Sequence, residues 1–547
     1  MTLHPSPRTC SGVHRATHSG PRWWHGGPRH KAGVTVLMAA FSLGAAPPPQ
    51  QADIVLRGGT VYPGDSAPFR GDVAVRGDRI VFAGRRYAGK AARTIDARGM
   101  IVAPGFIDPH THVGSMLADA DARKRLVAPF LMQGVTTAFI GNDGGGEPDV
   151  AATLAAAKAG PVGINYAAYV GFGAVRKAVV GDARRAPTAP EMARMRGLIR
   201  TAMCDGAMGL STGLFYAPQS FAETPEVVAL AREAGAAGGH YDSHLRDESS
   251  YSIGLAAAVD EALRIGREAR VAVNISHIKA LGVDVQGQAP AIIARVEAAR
   301  RAGQRVTADQ YPWSASGTSL AAALMPIWAM DGGRSAYLQR FRDPALQTKL
   351  QAEIADNLRR RGGAEALLIT EGAEKGRTLA EVAKRLRVTP VAAAIATITA
   401  QDPAVASFNQ SEGDIAAFMA QPWVMTGSDA STGHPRVYGS FARKYAEYVR
   451  KRRVLSLAAF VQRSSTLAAD TFKLAGRGRI KSGNFADIVV FDPARFRERS
   501  TYQQPELLAE GVRQVLVNGA LAVDGAQLTG TAAGRALPHT PTPGYCR

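Results

Sequence analysis

The stretch IVAPGFIDPHTH, residues 101–112, is an apolar run that stops at Asp108-Pro109 and delivers two histidines one residue apart. A short apolar run bounded by Gly and Pro reads as a buried strand. The same unit then recurs as an apolar run, a polar or glycine-bearing turn and an alanine-rich helical stretch. Residues 135–140 lead into Gly141-Asn142-Asp143, and 162–170 form the next run. Residues 207–210 lead into Ser211-Thr212-Gly213, 238–244 end in His244, and 271–276 lead into His277. Residues 305–308 lead into Asp309-Gln310-Tyr311, and 424–426 into Gly427-Ser428-Asp429. With 101–107 these are eight strands. Helical stretches between them include 191–203, 225–234, 253–269 and 290–302. Strand and helix in alternation predict a parallel sheet, and eight such units predict an α/β fold, a (β/α)₈ TIM barrel spanning 104–470. The gap between strands seven and eight is too long for a loop, so an inserted subdomain is expected at about 320–421.

Outward from the barrel the texture changes. Residues 53–98 (IVLRGGTVY, DVAVRGDRIVFAG, TIDARG) and 479–525 (IKSGNFADIVVFDP, VRQVLVNGALAVDG) alternate apolar and polar residues between glycine turns. Both read as β structure. They predict one small β-sandwich domain built from both chain ends, 52–103 plus 471–534, followed by a flexible tail at 535–547. Residues 1–50 are different again. Five basic residues and no acid precede the apolar run VTVLMAAFSLGAA (34–46) and Pro47-Pro48-Pro49. This is a signal-peptide pattern, too short for a spanning helix. It predicts export to the periplasm or medium, with a cytoplasmic location if the segment is no signal.

Composition narrows the function classes. The chain has 547 residues, 46% hydrophobic and 20% charged, which excludes a disordered, collagen-like or coiled-coil protein. The net charge of +19 falls to +14 without the first 50 residues and is spread without runs, so no nucleic-acid partner is expected. Three cysteines, Cys10, Cys204 and Cys546, exclude a disulfide scaffold or a cysteine-based zinc finger, and Cys204 is expected buried and inert.

Seven of the twelve histidines lie beyond residue 50, and most fall at the ends of apolar runs. Catalytic groups of a (β/α)₈ barrel project from the C-terminal ends of strands. His110 and His112 share one side of an extended segment, because strand side chains alternate with period 2. Two neutral imidazoles at a barrel mouth suit Zn²⁺ or a similar borderline metal. His244 and His277 supply a second pair, and Asp143 and Asp429 add carboxylates. Six such ligands hold one or two metals. A metal lowers the pKa of a bound water toward neutrality, and Asp429 can take its proton and pass it to a leaving amine. The chemistry expected is metal-assisted hydrolysis of an amide. Asp108 and Asp309 are expected to orient neighbours by hydrogen bonds, His240 to be structural, and Trp313 to form pocket wall.

The segment PGFIDPHTH (104–112) resembles the opening motif of the amidohydrolase superfamily, as do the blocks DIVLRGGTVYPGDSAPFRGDVAVRGDRIVFAG and GRGRIKSGNFADIVVFDP. GLSTGLFYAP (209–218), SHLRDES (243–249), ISHIKALG (275–282), ADQYPWSASGTSL (308–320), GSDAS and HPRVYGSFAR (427–443) are more narrowly similar to the N-acyl-D-amino-acid deacylase (D-aminoacylase) family. The resemblance spans residues 52–534. It implies a barrel with a small β domain, one or two zinc ions, and hydrolysis of the N-acyl bond of a D-amino acid or of a peptide ending in a D-residue. It implies His110 and His112 as ligands of one metal position, His244 and His277 as ligands of the other, and Asp429 as the catalytic aspartate that also touches metal. Lys279 and Tyr311 match positions that hold the substrate carboxylate, and Tyr216 and Arg436 lie in matching segments.

There are departures. Asp143 stands where family members often have Cys, and its oxygens are harder ligands than a thiolate. Ser211-Thr212-Gly213 offers no lysine for carboxylation, and Gly317 stands where a serine is expected. The partner expected is a small molecule or short peptide with a free carboxylate. The alternatives are a cyclic amidase of the dihydroorotase or hydantoinase kind, which needs the Lys279/Tyr311 pair less because its substrate has no free carboxylate to hold, and a non-catalytic binding protein on the same fold.

Overall fold

The computed structural model describes residues 51–546. The leader expected at 1–50, with Cys10, lies outside them. Eight parallel strands form the barrel: β1 (Phe106–Asp108), β2 (Val135–Ile140), β3 (Asn165–Ala168, resumed at Val170–Gly171), β4 (Gly209–Gly213), β5 (His240–His244), β6 (Ala272–Ile275), β7 (Val306–Gln310) and β8 (Val424–Thr426). The wall closes between β8 and β1, where Asp429 N donates to His110 O and His112 N to Ala430 O, both at 2.9 Å. Nearly every strand residue is buried, as expected of a parallel sheet covered by helices. The helix Ala189–Cys204 starts at a Thr188/Glu191 capping box with Pro at its first turn, and buries Met195, Ile199 and Met203 on one face. Leu255–Ala269 repeats the pattern with Leu255, Val259, Ala262 and Ile265 inward.

The first strand differs from its expected form. The run 101–107 is split between two domains. Ile101–Pro104 pairs antiparallel with Ile488–Phe491 in the small domain, and Phe106–Asp108 starts the barrel. Gly105 makes the break possible, because a Cβ there would lie 2.3 Å from Thr136 Oγ1. The small domain is one nine-stranded sheet drawn from both chain ends. Its long strand Ala52–Val61 pairs with Ala91–Asp96 along its first half and with Ile101–Pro104 along its second, so the sheet forks there. Ile54, Val75 and Ile95 share one core with Val102, Ile488 and Leu516.

The insertion after β7 begins earlier than 320 and returns earlier than 421. It is a three-stranded antiparallel sheet of Ala315–Ser319, Ala404–Phe408 and Leu367–Ile369, covered by helices including Gln347–Arg360 and Leu379–Leu386. Leu350, Ile354, Leu367 and Val382 give it a separate core. The helix Glu412–Met419 belongs to the barrel, where Phe418 joins the main core.

The tail 535–547, expected to be flexible, is hydrogen-bonded to the barrel over its described residues. Gly534 N, Leu537 N, His539 N and Thr542 N donate to Val162 O, Tyr166 O, Gly206 O and Ala237 O at 2.8–2.9 Å. The chain thus straps across the beginnings of β3, β4 and β5, on the face opposite the strand ends that carry the site residues. Cys204 is disulfide-bonded to Cys546, with 5.7 Å between Cα atoms. The expectation of an inert thiol is corrected: the bond joins the end of helix Ala189–Cys204 to the strap. Among the described residues no helix is long and apolar enough to cross a membrane.

Candidate metal and active site

The C-terminal strand ends converge on a cavity of about 430 Å³, whose lining includes His112, Asp143, Tyr216, His244, His277, Lys279, Tyr311, Asp429 and Arg436. His110, fully buried, lies directly beneath. The ten residues singled out in the sequence therefore meet in one place. Three of them sit at positive φ on turns that follow strands: Asp143 at 55°, His277 at 34° and Asp429 at 49°. Such strain is rare outside glycine and persists where the surroundings hold it. Here His277 N donates to Asp309 Oδ1 at 2.9 Å, Asp429 N to His110 O at 2.9 Å, and Gln219 Nε2 to Asp143 O at 2.9 Å.

Asp143 stands between the two histidine pairs. Its Oδ1 lies 3.4 Å from His110 Nε2, 3.7 Å from His244 Nδ1 and 3.5 Å from His277 Nε2, and its Oδ2 lies 3.4 Å from His112 Nε2. Asp429 Oδ1 faces the first pair, 3.6 Å from His110 Nε2 and 3.2 Å from His112 Nε2. One ligand atom from each of His110, Asp143, His277 and Asp429 lies within 4.8 Å of all the others. Both ring nitrogens of His110 and Oδ1 of Asp143 are buried without a hydrogen-bond partner. Buried polar atoms seldom go unpaired, and a cation coordinated by this donor set accounts for His110 Nε2 and Asp143 Oδ1, while His110 Nδ1 faces Asp309 Oδ1 at 3.8 Å.

The electrostatics agree. Burial pushes Asp143 up, yet His110 and His277 hold it well below the usual carboxylate range. Burial pushes His112 down, but Asp143 and Asp429 raise it to about 9. His277 is lowered by burial and Lys279, and still carried up to about 10 by Glu248, Asp429 and Asp143. The cluster draws positive charge strongly. A divalent metal held by these ligands would supply it.

Beneath the ligands lies a floor of buried polar groups. Asn274 Nδ2 donates to Asp242 Oδ1 and to Asp309 Oδ2, both at 2.8 Å, and Asn142 Nδ2 donates to Asp242 Oδ2 at 3.0 Å. Asp108 Oδ1 accepts from Ser428 N at 3.0 Å and His110 N at 3.3 Å. Asp108 and Asp309 thus hold the backbone of ligand-bearing turns, as expected of orienting groups. His240 sits at the start of β5, away from the site, with its ring against Phe472. Trp313 is not pocket wall. Its Nε1 donates to Ser440 Oγ at 3.0 Å and its ring packs behind the cavity against His434 and Tyr502.

Tyr311 is flanked by two cations, with the Arg436 guanidinium 5.1 Å and the Lys279 amine 5.7 Å from its ring centre. Gln410 Nε2 donates to the Tyr311 hydroxyl at 3.0 Å, and burial raises that hydroxyl well above its usual pKa, so it keeps a proton to donate. Arg436 Nη1 also lies 2.6 Å from Asp429 Oδ2. Burial pushes Asp429 up, but Arg436 and His277 hold it well below the usual range. Gly317, where a serine is expected, leaves room for Arg436: a Cβ there would lie 3.0 Å from Arg436 Nη2, a tight contact. The Tyr216 ring packs 4.7 Å from that of His244 and forms cavity wall.

Two residues escaped the sequence reading. Glu248 is buried and takes Lys279 Nζ at 2.6 Å, so the lysine expected to serve the substrate already has a carboxylate partner. The same carboxylate lies 3.2 Å from His277 Nδ1 and 3.7 Å from His244 Nε2, behind both imidazoles. Its signal is the acid four residues after His244 in SHLRDES. Arg361 enters from the insertion, where no strand-end pattern marks it.

The amidohydrolase family profile matches residues 93–523. The chain is 35% identical to a D-aminoacylase of Alcaligenes xylosoxydans xylosoxydans over 90% of its own length and 98% of that protein. It is 33% identical to an N-acyl-D-glutamate deacylase of the same organism, covering 86% and 93%. Among solved structures, an N-acyl-D-glutamate deacylase from Bordetella bronchiseptica, complexed with zinc and a phosphonate mimic of the tetrahedral intermediate, superimposes with a TM-score of 0.76 at 31% identity. That match covers 89% of this chain and all of that one.

Proposed function

The chain belongs to the amidohydrolase family, and from that premise we propose that it is a zinc-dependent hydrolase of the N-acyl bond of N-acyl-D-amino acids or of short peptides ending in a D-residue. The observation that carries the reading is one cavity that joins a convergent metal-ligand cluster to a cradle for a free carboxylate. His110, His112 and Asp429 would hold one metal position and His244 and His277 the other, with Asp143 standing between the two pairs as a ligand open to either. Zinc bound there supplies the Lewis acidity that brings a water's pKa toward neutrality and polarises the amide carbonyl.

The chain's own residues do the rest. Tyr311 and Arg436 bind the substrate α-carboxylate, with Lys279 shared between it and Glu248, and so place the amide carbon beside the ligand cluster. Asp429 takes the proton that the attacking water loses and returns it to the nitrogen as the C–N bond breaks, leaving a free amine and a free acid. Arg436 touches both the carboxylate cradle and Asp429, so substrate binding and the proton-transferring group share one guanidinium. A cyclic amidase has no need of three such partners for a free carboxylate. D-selectivity is drawn from the relatives.

The enzyme acts outside the cytoplasm. Two features support this: the signal-like pattern of residues 34–49 and the Cys204–Cys546 disulfide, a bond that persists in oxidising compartments. Replacing the general base tests the mechanism. Asp429→Asn is expected to lower kcat on N-acetyl-D-amino acids by about 10³-fold while the protein stays folded. Turnover near the wild-type rate would remove Asp429 from the role.

A further inference from the structure

The cavity wall contributed by the insertion carries a cation that the mechanism above does not use. Arg361 is 2% exposed and lines the cavity beside Ser316, Gly317 and Thr318. Its Nε donates to the Tyr251 hydroxyl at 2.8 Å, and Nη1 reaches Ser407 Oγ at 3.4 Å and Ser316 Oγ at 3.5 Å. These partners are all neutral hydroxyls. Arg176, Arg436 and Arg477, also buried, have carboxylates in Glu226, Asp429 and Asp487, and Arg463 instead caps two backbone carbonyls away from the cavity. Among the described residues Arg361 has none, and Glu371 on the same wall forms no ion pair with it. Guanidinium remains charged at any working pH, and burying a charge without a counter-ion is unfavourable. The space it borders is the substrate cavity, where an anion would complete the pair.

The position is specific. Ser316 and Gly317 are neighbours on the strand Ala315–Ser319. Ser316 touches Arg361, and Gly317 makes room for Arg436. The cavity therefore presents two positive stations spaced along one wall. Arg436 belongs to the cradle next to the ligand cluster. Arg361 lines the cavity from the insertion, with the hydroxyls of Tyr251, Ser316 and Ser407 around it.

We propose that Arg361 is a specificity residue that receives a second, side-chain carboxylate of the substrate, so that N-acyl derivatives of acidic D-amino acids are preferred over neutral ones. The inference rests on the deacylase reading given above. A bidentate guanidinium–carboxylate pair in a dry pocket discriminates strongly against an uncharged isostere.

The test uses the zinc-loaded enzyme and two substrates of nearly equal shape, N-acetyl-D-glutamate and N-acetyl-D-glutamine. Both kcat/KM and calorimetric binding are measured for wild type, Arg361→Leu and Arg361→Lys. Wild type is expected to favour the acid, and Arg361→Leu to lower the acid-to-amide ratio by about 100-fold, chiefly through KM. Arg361→Lys, which keeps the charge and loses the fork, should retain part of the preference and shows that the site still folds. Equal loss on both substrates, or a wild type that favours the amide, overturns the proposal. If wild type hydrolyses neither substrate, the deacylase reading fails. Binding then decides about Arg361 separately, through the acid's advantage over the amide in wild type and its disappearance in Arg361→Leu.

Discussion

Glu248 shows how much of the site depends on a side chain that need touch no substrate. It stands behind His244 and His277 and also neutralises Lys279. Burial pushes its carboxyl up, and Lys279 and the two histidines hold it well below the usual range, so it is ionised throughout the working pH. A carboxylate behind a ligating imidazole fixes ring orientation and raises basicity. Glu248→Gln is accordingly expected to weaken zinc binding by about 10- to 100-fold, read by chelator competition. His240 gives a pH signature unrelated to metal. Burial, with help from Lys473 and Arg305, lowers its pKa to about 3. An unfolded histidine takes up its proton near pH 6.5 while the native one stays neutral, so stability is complete above that pH. Below it, about 1.4 kcal/mol is lost per pH unit until the native group titrates. His240→Gln should flatten the fall of the melting temperature between pH 6 and 4, and an unchanged slope would assign the acid sensitivity elsewhere. At this scale the strand-end residues were legible because period-2 alternation and short apolar runs place them. Glu248 was legible only as an acid near a histidine. Arg361 was not legible, because its meaning lies in which acids are absent around it.

Among the elements, the barrel strands were readable from their apolar runs, and their ends to within a few residues. The exception is instructive. Residues 101–107 form one apolar run, but Gly105, pressed on Thr136 and donating to Asp487 O at 2.8 Å, lets the chain leave one sheet and enter another. Hydrophobicity does not mark such a change of sheet, and Gly105→Ala should destabilise the protein through the collision with Thr136. The strap 534–546 was not legible because its residues are polar and proline-rich, and what ties it to the barrel base is backbone hydrogen bonding. Its anchor is a bond between cysteines 342 residues apart, which sequence spacing cannot pair. A crosslink of that span restricts the unfolded chain heavily. Cys546→Ser is expected to cost about 2–4 kcal/mol, visible as a lower urea midpoint. Reductant should shift wild type to the same midpoint and leave the variant where it is. Equal midpoints for oxidised wild type and variant would show that the strap holds without the bond.

For the molecule as a whole, three separately built parts share the work. The barrel brings eight strand ends to one rim and closes through Asp429 N and His110 O, so the closure itself joins two site residues. The small sheet takes its strands from before β1 and after β8, joined through the Ile101–Pro104 and Ile488–Phe491 pairing. The insertion adds one wall of the cavity. The architecture was legible because alternation of strand and helix allows few topologies. The shape of the insertion and its contribution to the cavity were not, since neither follows from local pattern.

The central claim is that the ligand cluster and the carboxylate cradle act together as a metal-dependent D-selective deacylase. The most direct measurement is the rate of amine release from N-acetyl-D- and N-acetyl-L-amino acids by chelator-treated protein, before and after zinc is restored, with metal content determined in parallel. The account predicts negligible release without metal, recovery with one or two zinc ions per chain, and turnover confined to the D series. Full activity in metal-free protein, or equal turnover of both series, would contradict it.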